Sequence, residues 1–203
     1  MNIVTRQLDR LILTDCDGVL LNWEYAFNTW MQANGHKLSD DPVHKYSYDM
    51  KERYGIDSQV AQRLVKSFNE SAAMGFLPPQ RDAIQYVKKL HEELGYVFHV
   101  ITSLSKNPYA CKLRRMNLEK IFGETVFDGF TFLDTAADKD ECFRPWKDSG
   151  LFWIEDKIDN AISGRDWGLS SILIEHGHNM NYDCDKLNIT KVKNWKEIFE
   201  LLK

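Results

Sequence analysis

The chain has 203 residues, 43% of them hydrophobic and 28% charged, the proportions of a globular protein with one sizeable core. Its 26 Lys and Arg against 30 Asp and Glu leave a formal charge of -4, with no basic run or basic helix face to track nucleic-acid phosphates. No apolar run approaches a membrane span, the opening Met-Asn-Ile-Val-Thr-Arg has no signal-peptide stretch, and four dispersed cysteines exclude a disulfide scaffold or a zinc cluster. The expectation is a soluble, cytoplasmic protein with free thiols, working as a monomer or dimer, without nucleic-acid or membrane partners.

The first apolar run, Leu11-Ile12-Leu13, reads as a buried strand and stops at Thr14-Asp15-Cys16-Asp17-Gly18. In an extended chain, residues two apart share a face, so Asp15 and Asp17 can converge on one ion or divide the work of nucleophile and acid/base. Gly18 permits a sharp turn or the close approach of a ligand. Helical spacing follows over 23–35 (Trp23, Ala26, Phe27, Trp30, Met31), then an irregular stretch over 36–55. A second helix, capped by Asp57 or Ser58, is expected to run to about Met74. Pro78-Pro79 marks the end of what reads as a helical insertion over 20–78.

The remainder alternates. A helix over 80–94 precedes a strand from Tyr96 to Thr102, and a helix from Pro108 to Phe122 precedes a weaker strand over 129–133. A short helix over 139–147 leads to a strand from Leu151 to Ile154, and a helix over 158–167 to a strand over 170–175. A polar loop from His176 to Asn188, a short strand over 190–193 and a helix from Trp195 to Leu202 complete the chain. Such alternation predicts an α/β fold: a doubly wound, mainly parallel sheet built from 1–19 and 79–203, carrying the 20–78 insertion after its first strand.

In a parallel sheet the strand ends lie on one edge. Three apolar strands then deliver Asp15 and Asp17, Thr102 and Ser103, and Glu155 and Asp156 to one crevice, with Lys139 on the segment leading to the last of them. That set suits phosphoryl transfer. Carboxylates suit Mg2+, and a hydroxyl and an ammonium can hold phosphate oxygens. One aspartate can attack phosphorus while a second carboxyl handles the proton.

These motifs resemble those of the haloacid dehalogenase-like (HAD) hydrolase superfamily, whose core is Rossmann-like: Asp15-Cys16-Asp17-Gly18-Val19, then Thr102, then a lysine, then Glu155-Asp156 followed by Asp159-Asn160. The resemblance implies Asp15 as nucleophile and metal ligand, and Asp17 as general acid/base whose carbonyl also binds metal. It implies that Thr102 holds the phosphoryl group and that Lys139 bridges nucleophile and phosphate. Asp156 would complete the Mg2+ site, with Glu155 as ligand or supporting neighbour. Gly18 and Ser103 are expected beside the substrate. Lys147 and Lys106 are the alternative lysines. The 20–78 helices resemble a small substrate-choosing cap, and the carboxyl end loosely resembles 5'-nucleotidase-like members. The implied activity is Mg2+-dependent hydrolysis of a small phosphate monoester, first a nucleoside 5'-monophosphate. A phosphotransferase or phosphomutase and an inactive binding module are the alternatives.

Other candidates have plainer readings. His176 and His178 read as a solvated turn, with metal binding as the alternative, His99 as a hydrogen-bonded core residue, and Lys112, Arg114 and Arg115 as a solvated helix face. The aromatic cluster Trp23, Tyr25, Phe27 and Trp30 reads mostly as packing within the insertion, with Trp23 or Tyr25, and then Tyr46 and Tyr48, as candidates to border the crevice and stack on a base. Ser105 and Lys106 suit a helix start or a substrate contact.

Overall fold

The computed structural model describes residues 10–203; residues 1–9 of the expected core lie outside them. Six strands form one parallel sheet: β1 (Leu11–Thr14), β2 (Val97–Ser103), β3 (Phe127–Leu133), β4 (Phe152–Glu155), β5 (Ser170–Ile174) and β6 (Thr190–Val192), in the order β3-β2-β1-β4-β5-β6. The chain winds outward from β1 to β3, crosses back, and resumes at β4 on the other side of β1. That reversal opens a crevice at the carboxyl ends of β1 and β4, the usual ligand position in such sheets. Register sets the site: Thr14 pairs with Val100 on β2 and with Ile154 on β4, so Asp15 and Glu155 emerge side by side.

Both faces of the central strands are covered. Ile12 joins one apolar cluster with Phe98, Val100, Ile154 and Ile172, while Leu11 and Leu13 join another with Ile101, Phe143 and Trp153. Parallel strands buried on both faces read as unbroken apolar runs for this reason. Each fully buried Leu or Ile contributes about 1.5–3 kcal/mol of transfer free energy.

The insertion contains α1 (Trp23–Ala33), α2 (Pro42–Lys45), α3 (Met50–Tyr54) and α4 (Ser58–Asn69). The expected irregular stretch is thus partly helical, because Asp41 and Asp49 each accept a hydrogen bond from a backbone N–H two residues on and start a short helix. The expected long helix ends at Asn69, with a separate tight turn over Ala72–Gly75. The insertion leaves and re-enters the core through paired segments: the Asn22 N–H donates to Pro78 and the Gln80 N–H to Leu20, both at 2.8 Å.

The core helices are α5 (Ala83–Glu92), α6 (Pro108–Phe122), α7 (Ile158–Asp166) and α8 (Trp195–Leu202). Asn107 caps α6, with Pro108 supplying a preset φ in its first turn. The short helix expected near 139–147 is a 3-10 segment, Asp140–Trp146, since Pro145 cannot donate to an α-helical ladder. All four cysteines are free. No helix among the described residues is long and apolar enough to cross a membrane.

Candidate active site

Asp15 leaves the end of β1 with its N–H donated to the Ile154 carbonyl at 2.8 Å, which ties the turn to β4. Its carboxylate Oδ1 lies 2.7 Å from Lys139 Nζ, and the same ammonium lies 2.9 Å from Glu155 Oε2. All three side chains are buried. Lys139 reaches them from the loop after β3, and its neighbour Asp140 anchors that loop by accepting from Ser163 and Trp167 of the α7 region. Lys147 and Lys106 are exposed and lie outside the crevice lining, so geometry selects Lys139.

Asp15, Glu155 and Asp156 each offer an oxygen within 4.8 Å of the others. Glu155 is already committed: Oε1 accepts the Asp156 and Lys157 N–H groups, and Oε2 accepts from Lys139 and Asn160. Asn160 thus serves the site by orienting Glu155. Thr102, at the end of β2, is 1% exposed, and its Oγ1 has no hydrogen-bond partner. Ser103 lines the crevice but donates its hydroxyl to the Ala137 carbonyl at 2.8 Å.

Asp17 lines the same crevice but is not part of this cluster. Its carboxylate pairs with Arg114 of α6, whose guanidinium also donates to Cys16 Sγ at 3.0 Å and to Met74 Sδ at 3.1 Å. The expectation of a solvated Arg114 is therefore corrected: the side chain is 0% exposed. The available signal was its place four residues from both Ala110 and Leu118, inside the buried stripe of the helix.

Gly18 adopts φ +77°, and a Cβ there would stand 2.2 Å from Asp156 Oδ2. The two acid turns pass this closely only because the residue has no side chain. Its N–H donates to Leu21 and its carbonyl accepts from His176, so Gly18 spaces the turns and offers substrate no free backbone donor. The expectation that His176 and His178 form a solvated turn is also corrected: both are partly buried, and His178 Nε2 donates to the Asp156 carbonyl at 3.0 Å. His99 is as expected, half-buried and bonded to Thr131 at 2.8 Å.

The crevice above these groups has a volume of about 1590 Å³ and is lined by the insertion as well as the core. Trp23 is held by Asn69 at 2.9 Å and stacked on Phe27 at 4.5 Å. Tyr25 and Tyr48 line the crevice, Tyr25 exposed and Tyr48 with its ring against His178 and Lys157, whereas Tyr46 lies outside its lining. Buried Arg53 of α3 also lines it, paired with Glu24 at 3.1 Å. Ser105 donates to Glu70 at 2.8 Å and starts α6 through the Asn107 N–H, so it fastens the insertion to the core.

Charge balance defines the kind of ion that fits. Against the cost of burial, Lys139 and neighbouring N–H groups hold Glu155 below the usual carboxylate range. That leaves one ammonium for three acids. Burial pushes Asp15 up to about 8 despite Lys139, and burial together with Glu155 and Asp15 pushes Asp156 well above its ordinary value. A divalent cation ligated by Asp15 and Asp156 would balance the two remaining charges, and an all-oxygen donor set suits a hard ion. Burial also lowers His176, to about 4, and lowers His178, so both are neutral near pH 7.

The chain has the fold of the haloacid dehalogenase-like hydrolases. A hydrolase of that family from Streptococcus pneumoniae is similar over 96% of this chain and 98% of its own, with 14% identity and a TM-score of 0.67. CbbY from Rhodobacter sphaeroides, solved in complex with phosphate, is similar over 93% of this chain and 96% of its own, with 16% identity and a TM-score of 0.60. In sequence, an uncharacterized 32.4 kDa protein of Enterobacteria phage T4 is 28% identical over 142 residues, 68% of this chain but only 49% of the relative. The match thus spans about half the length of that protein. No protein-family profile matches the chain.

Proposed function

We propose that this chain hydrolyses small phosphate monoesters through an aspartyl phosphate, with Mg2+ as cofactor and a nucleoside 5'-monophosphate as the leading substrate. The observation that carries the reading is a buried Asp15 held 2.7 Å from Lys139, in the same crevice as a Thr102 hydroxyl with no partner of its own. An orphaned buried donor costs stability unless a ligand uses it. A phosphoryl oxygen is the acceptor that this location suits.

In the proposed reaction an Asp15 oxygen attacks phosphorus as the ester P–O bond breaks. Asp17 gives its proton to the departing oxygen, then takes one from the water that releases phosphate from Asp15. Lys139 and Thr102 hold the phosphoryl oxygens. Asp15, Asp156 and the Asp17 carbonyl would hold Mg2+, which when bound neutralises charge on the transferred group. Glu155 positions Lys139 and the Asp156 turn. Ser103 and Gly18 act as walls beside the substrate. The 20–78 insertion acts as the cap, and the exposed Tyr25 in the crevice lining supports a planar base as the group it selects.

A panel of nucleoside and sugar monophosphates, assayed with Mg2+ and with chelator, tests both reaction and substrate. Hydrolysis is expected only with the cation and fastest for a nucleotide. Asp15→Asn is expected to drop turnover below detection with an unchanged circular dichroism spectrum. Undiminished hydrolysis by that variant overturns the mechanism.

A further inference from the structure

The loop after β5 carries three polar side chains that belong to none of the motifs above, and all three reach back to the acid edge. His176 Nε2 donates to the Gly18 carbonyl at 2.8 Å. His178 Nε2 donates to the Asp156 carbonyl at 3.0 Å. Asn179, fully buried, donates to that same carbonyl at 2.6 Å and to Ile174 at 2.8 Å, while its Oδ1 accepts the His176 N–H at 2.8 Å. A carbonyl oxygen only accepts, so both Nε2 atoms carry hydrogen, and the Gln80 amide 3.3 Å from His176 Nε2 then faces that ring with its oxygen. The two imidazoles stack with centroids 5.5 Å apart and planes 11° off parallel. Tyr48 of the insertion rests against His178 at 5.3 Å.

We propose that His176, His178 and Asn179 form a positioning clamp that sets the separation between the Asp15–Gly18 turn and the Asp156 turn, and thereby the affinity of the site for its divalent cation. The clamp rests on the cation site proposed above. One end of it grips each acid-bearing turn, and the stacked rings and the Asn179 amide join the two ends. Turns free to move would sample wider separations without the ion, and binding would have to draw them together again. A cage already at the required spacing avoids that cost. Partners behind the ligands of a metal site commonly change its affinity by about 10- to 100-fold.

Calorimetric titration of the full chain with Mg2+, without substrate, tests the clamp. His176→Ala and His178→Ala remove the donors. His176→Gln and His178→Gln keep an amide N–H at the reach of the imidazole Nε2. His44→Ala, at an exposed histidine in the insertion, is the control. The alanine variants are expected to bind Mg2+ about tenfold more weakly or worse, and the glutamine variants within about threefold of the unmodified chain. Should an alanine variant fail to fold, His178→Asn serves in its place: its amide stops short of the Asp156 carbonyl and is expected to bind as weakly. A side chain that only stabilises the loop would lower the melting temperature of the metal-free protein and leave Mg2+ affinity alone. Unchanged affinity in folded variants that lack the donor overturns the clamp and leaves the cation site standing. An unmodified chain that binds no Mg2+ overturns the cation site and the clamp together.

Discussion

Asp15 and Asp17 are two residues apart, yet they occupy different surroundings. Asp15 sits in a buried row made by adjacent strands, where one ammonium serves it and Glu155. Asp17 lies past the bend, one-quarter exposed to the crevice, with the Arg114 guanidinium buried behind it. The first acid is fixed by strand register, which places its neighbours whatever their side chains. The second is fixed by a single cation from α6. Two acids of one motif therefore answer to different parts of the fold, and their variants should fail differently.

Replacing the shared cation should have the largest effect on stability. Lys139→Met leaves Glu155 buried without its ammonium and is expected to cost about 3–5 kcal/mol in urea unfolding. Adding Glu155→Gln should recover much of that loss. Arg114→Met is expected to cost less, about 2 kcal/mol, because Asp17 can turn its carboxylate to water. Equal losses at the two sites would erase the distinction drawn between them.

A smaller effect is expected at His176. Burial lowers it to about 4 from an ordinary 6.5, so between those values the unfolded chain gains a proton that the folded chain refuses. Stability is therefore lost as pH falls through that window, with a slope of at most about 1.4 kcal/mol per pH unit. His176→Gln should flatten the slope between pH 6.5 and 4 and leave stability at pH 8 nearly unchanged. Thr102→Val is expected to cost no stability and to gain up to about 1 kcal/mol, because the buried hydroxyl it removes has no partner. The same variant should weaken inhibition by inorganic phosphate about tenfold, the value of one hydrogen bond to a charged group. A large stability loss there would mean that the hydroxyl serves the fold instead.

Much of this was legible in the sequence because it depends on short-range pattern. Apolar runs ending in acids marked β1 and β4, and the Thr102-Ser103 ending marked β2. Their gathering at one edge followed from parallel pairing. Glycine and proline punctuation placed most helices within a few residues. The short helices of the insertion were missed because each is nucleated by a single aspartate cap, without an apolar period. Arg114, His176 and His178 were misread for another reason. Charge and polarity predict exposure on average, whereas these side chains are buried by partners that lie far away in the chain.

The amino-acid sequence by itself determined the layered α/β plan, the strand whose end carries Asp15 and Asp17, and the acids and hydroxyl that share an edge with them. Those features follow from periodicity and from the fixed geometry of parallel strands. Only the tertiary structure decided which lysine reaches Asp15, which cation holds Asp17, and which loop grips the Gly18 and Asp156 carbonyls. Each of those contacts joins side chains across the fold, and their partners are set by how the layers pack, which no local pattern encodes.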